Sequence, residues 1–267
     1  MSRGAVFLRT VQGLMLALAL LSATAVSWAA DRCLLPSEHA GVTFPVEQID
    51  VQWTCRLKPI VTRYTTANKV GPIRVTLPHA MYMLLLDHPI MAATLINRLD
   101  LALYRAEDRG PDRYWGNDGE GSEGLIELVY GDRTTRMYYL QGSHDSRVLP
   151  HVTGTGLLLL RMHAVKNADG TEAMDTTMVA YTRLDNRVLS GLVSLFRPLV
   201  GHTVSRKLMN GAETVNRLSR IMRQEPERVL TEAADPPALP RRDVALLREM
   251  LASLRVPGAG GEGKAAP

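Results

Sequence analysis

The residues whose types could do chemistry are few and poorly spaced for it. Ser143-His144-Asp145 contains the three side chains of a hydrolytic triad, but a triad joins residues that converge from separate places, and three chain neighbours cannot converge on one another. The tripeptide reads as a turn. His144 and His151 flank Asp145, and His163 follows; they fall around a loop and a strand, without the helical spacing that would set them on one metal. The segment Trp115-Gly116-Asn117-Asp118-Gly119-Glu120-Gly121 offers acidic oxygens among glycines but lacks the D-x-[DN]-x-[DN]-G frame with a distant glutamate that holds calcium. It is expected to be a flexible mouth or hairpin loop. Gly154-x-Gly156 precedes a strand and not a helix, which is the wrong setting for a dinucleotide phosphate. The sequence contains no H-E-x-x-H, no cluster of cysteine ligands and no G-x-x-x-x-G-K-[ST]. The expectation is therefore no catalytic residue, no metal and no cofactor.

With so little overt chemistry, the elements and what they enclose carry the reading. Arg3 and Arg9 flank an apolar run, Val11 to Val26, that ends at Ser27-Trp28-Ala29-Ala30. This pattern is that of a secretory signal peptide cleaved near Ala30, so residues 1–30 are set aside. Their removal takes away two arginines and leaves 29 basic against 27 acidic side chains. A nearly neutral chain does not argue for nucleic acid, despite the pI of 9.2. The only cysteines are Cys33 and Cys55; in an exported chain they are expected to form a disulfide, worth about 3 kcal/mol in the loop-entropy account. The destination is periplasmic or secreted.

Ile49, Val51, Trp53 and Cys55 alternate with polar residues, which predicts a strand over Val46 to Cys55. Another strand or extended arm is expected within Lys58 to Thr76. Two short helices follow, His79 to Leu86 and Ile90 to Leu99, with Pro89 at the first position of the second. Five strands with short polar connections are predicted at Leu101 to Ala106, Leu125 to Tyr130, Thr135 to Gln141, Gly156 to Val165 and Met174 to Arg183, as in an antiparallel meander. Arg109 to Gly124, with five glycines, is expected to be a loop. Then comes the longest element. Val188, Leu192, Leu195, Phe196, Leu199, Val200, Val204, Leu208, Ala212, Val215, Leu218 and Met222 recur at steps of three and four, the mark of a helix with one buried stripe.

This order, and above all the last strand running into the helix at Val179-Ala180-Tyr181-Thr182-Arg183-Leu184-Asp185-Asn186, resembles the START-like helix-grip (SRPBCC) superfamily, of the lipid-transfer or polyketide-cyclase type. The resemblance implies an α+β fold in which a curved antiparallel sheet wraps round a long C-terminal helix and leaves a hydrophobic pocket. Two stretches depart from that pattern. The expected organisation is a signal peptide over 1–30, an N-terminal extension with the disulfide over 31–69, the START-like domain over 70–232, and over 233–267 a linker, a short amphipathic helix and a disordered tail.

Strand alternation nominates the residues that would line the pocket: Ile126, Leu128, Met137, Tyr139, Leu158, Leu160, Met162 and Met178, with Leu192, Phe196, Val200 and Val204 from the helix. Arg161, His163 and Tyr139 are the polar candidates within it. Methionines are plentiful, at 12, and can adapt to a variable guest or fill an ordinary core. The glycine-rich loop could gate the pocket, with Tyr114 and Trp115 as an apolar lid. The expected partner is a lipid or other hydrophobic small molecule, with transient membrane-surface contact through the basic helix and no nucleic acid. The alternatives are a cyclase/dehydratase-type enzyme using His163 or Asp175 as acid or base, and a structural envelope module whose cavity is filled by its own side chains.

Overall fold

The structure is a computed structural model that describes residues 33–145, 151–185 and 193–254, the side chains of 193–196 excepted. The chain divides into two compact units between Thr62 and Arg63. In the first, two-residue strands β1 (Glu38–His39) and β2 (Val42–Thr43) pair antiparallel ahead of helix α1 (Val51–Thr62). Cys33 and Cys55 are joined as expected, a bond that suits an oxidising compartment. The strand expected over Val46 to Cys55 is instead a short 3-10 turn followed by α1. The Asp50 carboxylate accepts the Gln52 backbone N–H at 2.7 Å, an N-terminal cap. From there Thr54, Leu57, Ile60 and Val61 form the buried stripe. The apparent alternation fails because Val51 is exposed, so only the helical spacing is used.

The second unit is built on a seven-stranded, wholly antiparallel sheet. Its strands are β3 (Thr66–Val75), β4 (Arg105–Asp108), β5 (Arg113–Asn117), β6 (Ser122–Gly131), β7 (Thr135–His144), β8 (Val152–Lys166) and β9 (Glu172–Leu184). They lie in the order β3-β9-β8-β7-β6-β5-β4, open at β3 and β4. Four of the five predicted strands are found where expected; of Leu101 to Ala106 only Arg105 and Ala106 are strand, at the start of β4, and β5 is an addition, because the glycine-rich stretch read as a loop forms the β5–β6 hairpin. Helices α2 (His79–Asp87) and α3 (Pro89–Arg98) meet at 97° around His88, with Pro89 opening α3. Helix α4 (Val193–Gln224) is the long element, followed by α5 (Pro226–Ala234) and α6 (Arg241–Leu254). The fold is thus α+β, a large antiparallel sheet with a long helix.

Cross-strand register sorts the side chains into two faces. One face carries Met162, Met174 and Met178 in a core with Met81, Met91 and Leu95 of α2 and α3 and with Leu218 and Met222 of α4. Val229 and Ala233 of α5, Leu239, and Leu247 and Leu251 of α6 belong to the same core. The stretch expected as linker and separate helix after residue 232 is therefore a packed part of this unit. Arg98 fixes it by donating to the carbonyls of Glu232, Asp235 and Pro237. Its apolar residues looked like an appendage because their partners, α2 and α3, lie more than a hundred residues earlier. The N-terminal boundary also differs from the expected residue 70, since β3 already begins at Thr66.

Candidate functional site

Along β5 to β8 the register aligns Gly116 with Gly124, Gly124 with Gly142, and Gly142 with Gly154, continuing the row from Ala106 on β4. One row of the sheet therefore has almost no side chains. A Cβ on Gly142 would stand 2.2 Å from the Glu123 carbonyl oxygen, and one on Gly124 would stand 2.4 Å from that of Gln141. Glycine is required here so that neighbouring backbones can approach so closely. The next positions on the same face are Ile126, Leu140, Gly156 and Thr182, then Tyr138, Leu158 and Ala180. Small residues dominate this end, and space is left above it.

Two cavities occupy that space. One of about 570 Å³ lies between the β5–β8 face and the residues Leu85, Leu86, Ala92 and Ile96 of α2 and α3. The other, about 870 Å³, lies between β7–β9, the segment Leu101 to Tyr104, and Val204, Lys207, Leu208 and Gly211 of α4. They share Tyr104, Asp118, Ile126, Leu140 and Leu158, so they meet along a common wall. Their walls are chiefly apolar. Tyr138 lines the smaller one, and burial, the main cause, pushes its pKa up to about 12, keeping the phenol neutral.

Polar groups gather where the β5–β6 turn meets α4. Asp118 accepts backbone N–H bonds from Glu120 and Ser122 at 2.8 and 2.9 Å. Its other oxygen accepts from the Lys207 ammonium at 2.5 Å, while Glu120 stands 3.4 Å from the same nitrogen. Burial works to raise the Asp118 pKa, but the Lys207 bond and the two backbone donors outweigh it and hold the carboxyl below its ordinary value. The Ser122 hydroxyl lies 3.0 Å from His144 Nδ1. Burial, then the nearby Lys207 charge, depress the His144 pKa and favour the neutral ring. This cluster can meet the polar end of a guest whose remainder is apolar. Among the described residues no group of histidine, cysteine and carboxylates is arranged to hold a metal.

Of the residues nominated from sequence, Ile126 and Leu158 line both cavities, Leu160 the smaller and Val204 the larger. Leu128 shares their face, further along β6, outside both linings. Met162 and Met178 belong to the filled core. Val200 packs with Val152 and Leu184. Leu192, and the side chain of Phe196, lie outside the described residues.

Met137 and Tyr139 are corrections. The pairing of Tyr138 with Leu158 turns Tyr138 and Leu140 toward the cavities and Met137 and Tyr139 to the opposite face, where they too are buried. Both halves of β7 are apolar, so alternation alone could not choose between them. Arg161 also stands on the opposite face, donating to the Thr135 hydroxyl at 3.2 Å. His163 is exposed opposite Asp175, and Asp175 is held by a two-point bond with Arg74 at 2.8 and 2.7 Å. The two groups suggested for acid–base chemistry are therefore away from the cavities. Sequence reading missed Tyr104, Asp118, Ser122, Tyr138, Leu140 and Lys207. The aligned glycines carried a signal, but only once their strands are set in register.

No protein-family description matches the chain, and no curated protein matches it. Among solved structures it is similar to a conserved protein from Geobacillus kaustophilus, at 11% identity over 58% of this chain and 95% of that one, with a TM-score of 0.43. An uncharacterized protein from Rhizobium leguminosarum is similar at 13% identity, over 57% and 97%, with a TM-score of 0.33.

Proposed function

We propose that this protein binds a lipid or other hydrophobic small molecule in the joined cavities, in a helix-grip arrangement of the START-like kind, and serves in the periplasm or outside the cell. The observation that carries the reading is the pair of adjoining, largely apolar cavities with one polar cluster at their shared wall. Enclosing an acyl chain there would take apolar surface out of water at about 25 cal/mol per Å², so ~300 Å² gives roughly 7 kcal/mol before the cost of association. Affinities in the micromolar range are expected. Arg206 and Arg220, exposed on α4, are suited to transient contact with lipid phosphates during pick-up.

The test is binding of the apolar dye N-phenyl-1-naphthylamine to the full chain, with native mass spectrometry of protein purified from cells. Wild type should enhance the dye's fluorescence saturably and carry a co-purifying lipid. Ala180 on the wall of the larger cavity provides the control: Ala180→Phe fills the space and should weaken dye binding at least tenfold while the protein stays folded. Undiminished binding in that variant, or none in wild type, would sink the reading.

A further inference from the structure

We propose that Lys207 is a latch: its ammonium clasps the β5–β6 turn to α4, and a guest enters or leaves the cavities when this clasp opens. The inference rests on the cavity-binding reading above. Lys207 holds both acids of one four-residue turn, Asp118 at 2.5 Å and Glu120 at 3.4 Å, across 89 and 87 positions of chain. Both lock partners are cavity residues, since Asp118 lines the two cavities and Lys207 the larger one. The clasp therefore sits at the wall where the chambers join, and not on an outlying surface.

The turn is built to move as one piece. Asp118 ties Glu120 and Ser122 internally, and Asn117 accepts the Gly119 N–H at 2.8 Å. Gly119 and Gly121, at φ +69° and +90°, adopt conformations that other residues rarely take. The turn rests on the segment before β4, where a Cβ on Gly119 would come within 2.6 Å of the Leu103 carbonyl oxygen. Leu103 itself lines the larger cavity and is 75% exposed. Leu103 is thus an apolar lip at the mouth of that cavity, and the turn packs against its backbone. At its base the turn stays anchored to the end of β7, where the Asp145 N–H donates to the Gly121 carbonyl at 2.9 Å.

An ion pair suits this role because it is weak enough to open. The outer contact, to Glu120 with 57% of its side chain exposed, contributes little to stability and is screened by salt, while the inner one joins Lys207 and Asp118 at 20% and 24% exposure and is screened less. In stopped-flow exchange of N-phenyl-1-naphthylamine on the full chain, Lys207→Met should raise both the entry and the release rate roughly two- to fivefold. Lys207 also lines the larger cavity, so Kd shifts as well, but by less than the rates do, because a door alters both rates alike. Asp118→Asn should act in the same direction, and Lys207→Arg should restore slow exchange. Raising salt to about 0.5 M should speed wild type and leave Lys207→Met unaffected.

Hydrogen exchange at the Glu120 and Ser122 amides reads the clasp without any ligand and should accelerate in Lys207→Met. Unchanged dye rates in Lys207→Met, with dye still bound, overturn the latch and leave the binding reading intact. Failure of wild type to bind dye defeats the binding reading and the latch's role as a door together. Unaltered amide exchange then defeats the clasp as well. A melting temperature close to wild type in each variant separates a freed turn from a damaged fold.

Discussion

The same face of the same sheet is solid at one end and hollow at the other. Toward the ends of β8 and β9 near their connecting turn, Met162, Met174 and Met178 stand on it and are buried in the core. Toward the start of β8, the row runs Gly116, Gly124, Gly142 and Gly154, with Gly156 and Ala180 beside it. Large flexible side chains fill the first region, and α5 and α6 press further residues into it. In the second, backbone replaces side chain and the opposing helices have little to touch. The lesson is that a cavity on a sheet follows from residue size along aligned rows as well as from helix position. Methionine supports this division: all the buried methionines of this face, Met162, Met174 and Met178, belong to the solid end, so they act as filler and not as an adaptable pocket lining.

The largest expected effect comes from breaking the glycine row. Gly142→Ala would set a Cβ 2.2 Å from the Glu123 carbonyl and 2.9 Å from the Gly124 Cα, both backbone atoms that cannot swing aside. A loss of about 3 kcal/mol, or roughly 10 °C in Tm, is expected in thermal melts. A loss below about 0.5 kcal/mol would mean that close backbone approach does not shape the hollow end.

A matched pair of leucine truncations measures the contrast directly. Leu95→Ala in the solid end, where Leu95 is fully buried, should cost about 3 kcal/mol by urea unfolding, as cavity-forming substitutions in close-packed cores do. Leu140→Ala, at the wall shared by the cavities, removes atoms that already face empty space and should cost only about 1 kcal/mol. Equal costs would indicate that the hollow end is filled in solution, by a guest or by collapse.

The smallest effects are in acid, and they differ between the two ends of β7. At the solid end burial works to raise the Asp132 pKa, but Tyr130, Thr134 and Thr135 donate to this carboxylate and lower it to about 2. A depressed carboxyl contributes stability above its ordinary value near 4, and that contribution is lost as pH falls through about 2. At the hollow end the His144 pKa lies below its ordinary value, so protonation is disfavoured in the folded state and stability declines as pH falls below about 6.5. Lys207 and Arg206 oppose the imidazolium, while Asp118 and Asp145 favour it. Hydrogen exchange should therefore loosen first beside His144 and only in stronger acid beside Asp132. In Lys207→Met the His144 pKa, followed by NMR, should rise.

Much of the fold was legible because periodicity survives without tertiary context. The stripe of α4, Pro89 at the start of α3, and the runs that became β6 to β9 each carry their signal within one segment. The errors arose where a short segment fits two patterns. Ile49, Val51 and Trp53 alternate, yet Thr54, Leu57, Ile60 and Val61 also form a helical stripe, and the Asp50 cap decides for the helix. Less of the candidate site could be read. Ile126, Leu158, Leu160 and Val204 reach it, whereas Met137 and Tyr139 were assigned to the wrong face of a strand that is buried on both sides.

What the sequence by itself determined is local: which segments are strands or helices, through hydrophobic period and turn residues, and that the two cysteines would be joined. Tertiary structure alone decided which face of β7 meets the cavities, because a shift of one residue exchanges every side chain across the sheet. It also decided that four glycines from four strands fall in one row, that α5 and α6 return to plug one end of the core, and that Lys207 reaches back 89 residues to Asp118. Each of these depends on the register or docking of segments far apart in the chain, and no property of a single segment fixes where another will lie against it.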